Sequence, residues 1–226
     1  MKLKNLLFPA IFFIFLSCKK TTDTPPPSQQ NTYVDTVSGS TWQYHQVDSS
    51  GSTPVNSDYT VTSTAKDSSI NGKSYHVYNL SYGKNQYLNI SGNDYYQFDS
   101  LPTGLGTTTF EGLYLKDNVN VGTGWSQSLT VTVPGIPIPV PVTLNYQIAE
   151  KGISRTVNGH NYSDVIHVSA TISSSLIPSA NLNTSINSYY AKRYGLIETS
   201  TLVNLNYLGV VANVNVQTKI VSATLL

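Results

Sequence analysis

Apolar and polar residues alternate with a period of two along much of the chain, and this alternation predicts β-strands. The clearest example covers residues 136–148, where every even position is apolar: Ile136, Ile138, Val140, Val142, Leu144, Tyr146 and Ile148. Alternate side chains of an extended chain point to opposite faces, so this period is expected of a strand with one buried face. No segment shows a helical period of 3.6 over three turns. Residues 41–226 are therefore predicted to form one all-β domain.

Two Asn-Gly pairs mark predicted hairpins. Asn71-Gly72 separates strand 57–65 from a tyrosine-rich strand, and Asn158-Gly159 joins strands 152–157 and 161–172. Both residues of such a pair readily adopt the positive φ that a two-residue type I′ turn requires. The other predicted strands are 41–44, 74–82, 87–90, 95–98, 111–115, 127–148, 196–207 and 210–226. Residues 101–109 are predicted to be a loop, and 173–187 a polar connection with one short helical turn.

Both hairpins belong to a longer repeated pattern. The sequence apolar-Asn-Gly-x-x-Tyr occurs at 70–75 and at 157–162, and Tyr-x-x-x-x-Gly follows at 87–92 and at 190–195. The pattern is compatible with an internal duplication and equally with chance recurrence of short tyrosine motifs. The predicted fold class is an antiparallel meander that curls into a half-barrel or barrel-like sheet.

Three prolines interrupt the alternating segment 127–148. Pro137, Pro139 and Pro141 would delete backbone N–H donors along one side of a strand, which predicts an edge strand or a polyproline-like extension. Two interpretations of the hairpin 129–148 stay open. Its apolar face covers the end of the core, or it projects and contacts a partner or a lipid.

The N-terminus predicts export. Two lysines precede the apolar run Leu6–Leu16, which as a helix would span about 17 Å and is too short for a bilayer core of ~30 Å. Residues 1–17 are therefore predicted to be a signal peptide. Cys18 follows and is the single cysteine of the chain, so no intramolecular disulfide is expected.

The residues Phe15-Leu16-Ser17-Cys18 resemble a bacterial lipobox, in which the cysteine receives the lipid. Together with Trp42-x-Tyr44, the hairpin Asn71-Gly72-Lys73-x-Tyr75 and the stretch Ser188–Glu198, they resemble uncharacterised lipoproteins of the Bacteroidota. The resemblance implies an all-β domain in the cell envelope, attached to the outer membrane through lipid on Cys18. It implies no activity, and it leaves open whether the domain faces the periplasm or the outside.

Composition agrees with a tethered envelope domain. Charged residues make up 11% of the chain and the net charge is +1, against ~25% charged residues in an average globular protein. There is no basic block, which excludes a nucleic-acid partner. Residues 18–40 are rich in Thr, Ser, Gln and Pro and are predicted to form a flexible tether. No later apolar stretch is long enough to span a membrane.

The sequence predicts no catalytic, metal or cofactor site, and hence no enzyme. The histidines His45, His76, His160 and His167 form no zinc-binding motif. Neither a Gly-x-Ser-x-Gly elbow nor a calcium loop is present. The carboxylate pair of a glycosidase could come from six acidic residues: Asp94, Asp99, Glu111, Glu150, Asp164 and Glu198. Their spacing in the sequence does not indicate which two would form the pair.

Tyrosine is the unusual component, with 16 of the 24 aromatic residues. Three functional hypotheses follow. The first is a non-catalytic lipoprotein that binds a lipid-like ligand or a protein partner through a tyrosine-lined concave face. The second is a surface glycan-binding protein that uses exposed Tyr and Trp rings, with Trp125 as the residue to test. The third is a hydrolase with an unrecognised carboxylate pair.

Overall fold

The structure, a computed structural model, describes residues 31–101 and 108–226. These residues form twelve β-strands and one 3-10 turn, Ser179–Asn181, with no α-helix among them. The strands are β1 (Thr41–Asp48), β2 (Val55–Ile70), β3 (Lys73–Leu80), β4 (Asn85–Ser91), β5 (Asp94–Ser100), β6 (Thr109–Lys116), β7 (Gly124–Val131), β8 (Val140–Val157), β9 (His160–Ser174), β10 (Leu182–Ala191), β11 (Gly195–Tyr207) and β12 (Val210–Thr224). The predicted all-β class is confirmed.

All twelve strands belong to one antiparallel sheet in the order β6-β5-β4-β3-β2-β1-β12-β11-β10-β9-β8-β7. The first and last strands pair with each other, from Thr41 opposite Thr224 to Asp48 opposite Val216. The sheet curls until β6 and β7 face one another, which gives a nearly closed, barrel-shaped sheet. Those two strands are not paired by a backbone ladder, and we call the gap between them the seam.

Both Asn-Gly hairpins are confirmed. Asn71 and Gly72 have φ of 52° and 79°, and Asn158 and Gly159 have φ of 49° and 81°. Each pair forms a two-residue connection, β2–β3 and β8–β9. The repeated pattern occupies equivalent places in the two six-stranded halves of the sheet. The Asn-Gly turns join the second and third strands of each half, and the Tyr-x-x-x-x-Gly motifs reach the turn between the fourth and fifth.

The alternating segment has the expected burial but a different place in the sheet. Val140, Val142, Leu144 and Ile148 are buried, whereas Ile138 is 48% exposed. The prediction of an edge strand is wrong for β8, because β8 pairs with both β7 and β9. Two of the three prolines lie in the loop before β8, and that loop tucks Val133 and Ile136 into a second apolar cluster that closes this end of the barrel. The covering interpretation of the hairpin is therefore the one observed.

Two predicted boundaries change. The connection predicted at 173–187 is shorter, because β9 continues to Ser174 and β10 begins at Leu182, while the expected helical turn is present at Ser179–Asn181. Within the predicted loop 101–109, residues 102–107 lie outside the described residues, and β6 already begins at Thr109.

Residues 32–40, which the sequence assigned to the tether, are packed against the barrel, and we call them the N-terminal strap. Tyr33, Val34, Asp35 and Ser40 are at most 5% exposed. The backbone N–H of Arg193 donates to the carbonyl of Thr32 at 2.8 Å. The folded part thus includes residues before the predicted start at residue 41. Residues 18–30 of the tether and the signal peptide, 1–17, lie outside the described residues.

Candidate functional site

Aromatic side chains, most of them at inward positions of strands, line a cavity of about 360 Å³ that opens to solvent near Tyr82 and Tyr194, which are 58% and 37% exposed. Strand alternation explains the arrangement, because residues two apart on one strand, such as Trp42 and Tyr44 on β1, point to the same face. The aromatic lining residues are Tyr33, Trp42, Tyr44, Tyr59, Tyr78, Tyr82, Phe98, Tyr114, Tyr190 and Tyr194. Five aliphatic residues also line this space, which we call the main cavity.

The rings of the main cavity hold one another in place. Tyr44 stacks on Tyr59 with centroids 5.3 Å apart, and Tyr59 meets the edge of Tyr82 at 5.6 Å. Trp42 and Tyr78 are in a T-shaped contact at 5.9 Å. Offset and edge-to-face pairs of this kind add about 0.5–1.5 kcal/mol to the burial of the rings. The cavity wall is therefore largely pre-formed.

Several tyrosine hydroxyls of the main cavity are bonded to the barrel wall. Tyr44 donates to the carbonyl of Leu196 at 2.8 Å, and Tyr78 donates to the carbonyl of Asp35 at 2.8 Å. Because these hydroxyls have wall partners, the two side chains contribute mainly ring surface to the cavity. Burial raises the pKa of both hydroxyls well above the ordinary tyrosine value, so both remain neutral donors.

Tyr114 is different, because its hydroxyl makes no hydrogen bond to any described residue. Its ring lies 5.3 Å from that of Tyr190, and both rings line the main cavity. Burial, followed by the neighbouring hydroxyls of Tyr190 and Tyr78, raises the pKa of Tyr114 well above its ordinary value. Because Tyr114 lines the main cavity and no described residue is bonded to its hydroxyl, a bound molecule could form a hydrogen bond with this group.

A second cavity of about 210 Å³ adjoins the first, and we call it the side cavity. Tyr114 and Tyr190 line both spaces, so this ring pair stands at their junction. Beyond them the wall is mixed, with four aliphatic residues beside polar ones, and Tyr146 contributes a ring that stacks on Trp125 at 5.4 Å. Burial raises the pKa of Tyr146 to about 12. Its hydroxyl also makes no hydrogen bond within the described part of the chain.

The charged residues that line the main cavity are Asp99 and Lys84. Both keep solvent contact, and Asp99 also lines the side cavity. Burial raises the pKa of Asp99, although hydrogen bonds from the Ser100 N–H at 2.7 Å and from the Gln97 amide at 2.6 Å oppose the shift. One acid and one base of opposite charge leave the lining with no formal net charge.

The N-terminal strap forms part of the cavity wall. Tyr33 and Val34 line the main cavity, and the Tyr33 N–H donates to the Tyr95 hydroxyl at 3.2 Å. Nearby, the indole N–H of Trp42 is buried without a hydrogen-bond partner among the described residues. The residues that precede the strap in the chain are those of the predicted tether. The tether and the cavity are thus joined by a few packed residues.

Both tryptophans are engaged in the fold. Trp42 is 3% exposed. Trp125 stacks on Tyr146 and donates its indole N–H to the carbonyl of Leu113, 2.8 Å away across the seam. The glycan hypothesis named Trp125 as the residue to test. The ring of Trp125 also has a structural role at the seam.

The predicted absence of a metal site stays a prediction. The histidine side chains lie next to acidic residues or at a turn. His45 contacts Asp58 at 2.7 Å, and His167 contacts Glu150 at 2.9 Å. Within residues 31–101 and 108–226, no three His, Cys, Asp or Glu side chains form a group that could hold a metal ion. His160 occupies the first position of β9, after the Asn-Gly turn.

Five of the six candidate carboxylates are engaged by a cationic or histidine side chain. The pairs are Asp94 with Lys116, Glu111 with Lys73, Glu150 with His167, Asp164 with Lys192, and Glu198 with Arg155, at 2.7–3.0 Å. The sixth, Asp99, is the one that lines the cavities. The exposure of Asp99 to an internal space could not be inferred from its position in the sequence.

One constellation was missed by sequence reasoning. Ser63 Oγ lies 2.8 Å from His76 Nε2, and His76 Nδ1 lies 3.1 Å from Asp67 Oδ1. This order of groups is that of a hydrolase triad. Ser63 is only 1% exposed and lines neither cavity, so the constellation offers no space for a substrate beside its hydroxyl. The bulge between Ser63 and Asp67 in β2 creates it, and no local motif signals that bulge.

Comparisons with known proteins give one distant likeness. No family model matches the chain, and no curated protein matches it. A crystal structure of a Parabacteroides distasonis protein, provisionally named as a lipoprotein, is similar with a TM-score of 0.48 and 9% identity, over 87% of this chain and 100% of that one. A likeness this distant carries no argument about function. Cys18 lies outside the described residues, and among the described ones no helix is long and apolar enough to cross a membrane.

Proposed function

We propose that this protein is a lipid-anchored envelope protein whose barrel binds one small, largely apolar molecule in the main cavity. The observation that carries the proposal is the cavity of about 360 Å³ with ten aromatic residues in its lining. Ligand sites are typically concave, mostly apolar and about 300–1,000 Å³ in volume, with few polar groups. The main cavity has the volume of such a site and a wall rich in aromatic rings, beside the polar side chains of Lys84, Asn85, Gln86, Gln97 and Asp99.

The energetics favour an apolar occupant. Removing apolar surface from water contributes about 25 cal/mol per Å², and a pre-formed wall lowers the ordering cost of binding. The ring contacts of Tyr44, Tyr59 and Tyr82 provide such a wall. The Tyr114 hydroxyl, at the junction of the two cavities and without a partner among the described residues, would orient the occupant.

The experiment is the identification of a co-purifying molecule. The full-length protein is purified from membranes and extracted with organic solvent, and the extract is analysed by mass spectrometry. Val61 lines the main cavity, so Val61→Trp should fill it and remove the bound species. Val211→Trp is the matched control, because Val211 is 74% exposed. An extract that is identical for all three proteins would contradict the proposal.

The anchor is the second part of the proposal. The lipobox-like Phe15-Leu16-Ser17-Cys18 supports lipid attachment at Cys18, and each buried CH₂ of a lipid chain contributes ~0.8 kcal/mol. The protein would thus be attached to the membrane through the lipid on Cys18. We propose that this membrane is the outer membrane. A Cys18→Ala protein should leave the membrane fraction after processing. Retention in that fraction would contradict the anchor and leave the cavity proposal intact.

A further inference from the structure

We infer that the molecule bound in the barrel carries a flat aromatic ring system with a hydrogen-bond acceptor and a short aliphatic tail. The inference rests on the proposed ligand-binding function and names the chemical class of the ligand. The ring system would occupy the main cavity, the acceptor would meet Tyr114, and the tail would enter the side cavity.

The shape and chemistry of the main cavity favour an aromatic ring system in the ligand. Aromatic residues are 10 of its 21 lining residues, and the hydroxyls of Tyr44 and Tyr78 are turned to wall carbonyls. Beside the polar side chains of Lys84, Asn85, Gln86, Gln97 and Asp99, the lining presents ring faces and edges in fixed orientations. Ring surfaces favour offset-stacked and edge-to-face contacts with another aromatic system. A flexible alkyl chain would gain burial there but none of this geometry.

Two polar side-chain groups at the cavity wall favour a hydrogen-bond acceptor in the ligand. The Tyr114 hydroxyl has no partner among the described residues and stands at the junction of the two cavities. The indole N–H of Trp42, at the wall of the main cavity, is likewise buried without an acceptor in the described part of the chain. An indole N–H can only donate, whereas a tyrosine hydroxyl can donate or accept. An acceptor such as a ketone or quinone oxygen is the ligand group that suits both.

The two cavities differ in size. The side cavity begins at the Tyr114–Tyr190 pair, and Leu144, Val168, Ala170 and Ile186 form the aliphatic part of its wall. Its volume of about 210 Å³ is smaller than that of the main cavity. A ring bound in the main cavity would place a short alkyl substituent in this space.

The charge of the cavity lining indicates the charge of the ligand. Asp99 and Lys84 are the charged residues among the 21 that line the main cavity, and both are solvent-exposed. Their opposite signs cancel, and the other residues of the lining carry no charge. Burying a charged group without a partner is strongly unfavourable. The buried portion of the ligand is therefore uncharged.

The test compares three probes by isothermal titration calorimetry with the full-length protein in detergent, after extraction of any bound molecule. Menadione has the ring and the acceptors, methylnaphthalene has the ring without acceptors, and myristate has a charged head and an aliphatic chain. The expected order of affinity is menadione, then methylnaphthalene, then myristate. Because one hydrogen bond is worth about 1 kcal/mol net, menadione should bind about fivefold more tightly than methylnaphthalene.

Two variants assign this difference to Tyr114. Tyr114→Phe keeps the ring and deletes the hydroxyl, so it should abolish the menadione advantage and leave methylnaphthalene binding unchanged. Tyr207→Phe makes the same deletion on a residue that lines neither cavity and should change nothing. An unchanged advantage in Tyr114→Phe would overturn the assignment of the acceptor.

The outcomes separate the inference from the function on which it rests. Tighter binding of myristate than of either aromatic probe would overturn the aromatic class while the ligand-binding function stands. No saturable binding of any of the three would count against both. Thermal unfolding checks that each variant is folded. A loss of binding heat in a misfolded variant is then not mistaken for the loss of one contact.

Discussion

The indole N–H of Trp125 lies 2.8 Å from the carbonyl oxygen of Leu113 and joins β7 to β6 across the seam. The side-chain amide of Gln127, two residues further along β7, donates in the same way to the carbonyl of Glu111. Side chains thus replace part of a backbone ladder at the place where the barrel is not closed. These bonds hold β6, which carries Tyr114, against the rest of the wall.

The first prediction concerns this bond. Trp125→Phe keeps a ring for stacking on Tyr146 but leaves the Leu113 carbonyl without its donor. We expect the free energy of unfolding to fall by about 1–2 kcal/mol, measured by denaturant titration. An unchanged unfolding midpoint would show that the seam bond contributes nothing. Any loss of glycan binding in Trp125→Ala would have to be corrected for this structural effect.

The second prediction concerns the β11–β12 turn. Leu208 has φ of 51° and is 65% exposed, and Gly209 follows with φ of 81°. Asparagine tolerates the left-handed region better than leucine, as the turn at Asn71 illustrates. Leu208→Asn should therefore stabilise the protein by about 1 kcal/mol, and Asn71→Leu should destabilise it by a similar amount. Thermal unfolding of the two variants checks both signs.

The third prediction is a loss of stability at alkaline pH. Eleven of the sixteen tyrosines have a raised pKa in the folded protein, mainly because of burial, with Tyr59 and Tyr146 at about 12. Above pH ~10 the unfolded chain ionises its tyrosines while the folded chain keeps these protons. Stability is fully present below that pH and falls by up to about 1.4 kcal/mol per pH unit for each buried tyrosine, and by less for Tyr82, which is 58% exposed.

Tyrosinate absorbance measures this directly. Most tyrosines should titrate together with the loss of folded structure rather than one by one near pH ~10. Titration of all sixteen near their ordinary pKa, with the circular dichroism of the folded protein retained, would contradict the buried arrangement.

The fourth prediction tests the N-terminal strap. Tyr33 is 3% exposed and meets the edge of the Tyr95 ring at 6.3 Å. Tyr33→Ala should lower the free energy of unfolding by about 3 kcal/mol, as for other buried aromatic residues. Val211→Ala, at a 74% exposed position, should change it by less than ~0.5 kcal/mol. If denaturant titration gave the two variants equal stability, the N-terminal strap would not be packed against the barrel and would belong to the flexible tether.

The parts of the fold that depend on local sequence could be predicted. Asn71-Gly72 and Asn158-Gly159 specify their turns through the φ values that those residues adopt. The alternation at 136–148 identified the buried face correctly. Leu208-Gly209 forms the same kind of turn but has leucine where asparagine is usual, so the local signal is weak there.

The parts that depend on distant contacts could not be predicted. Tyr33 lies in a segment with a tether-like composition, and its burial depends on Tyr95, 62 residues away. The prolines indicated a strand with an unpaired edge, but the unpaired edges belong to β6 and β7, because curling of the sheet determines which strands remain last. The tyrosine excess pointed to a concave face. It could not show that the Tyr114 hydroxyl would lack a partner among the described residues.

The most direct test of the central claim is a titration of the full-length protein with an apolar dye whose fluorescence rises on burial. We expect saturable binding at one site, lost in Val61→Trp, which fills the main cavity, and retained in Val211→Trp, on the outer surface. Equal binding by both variants, or no saturable binding by the natural protein, would contradict a ligand site inside the barrel.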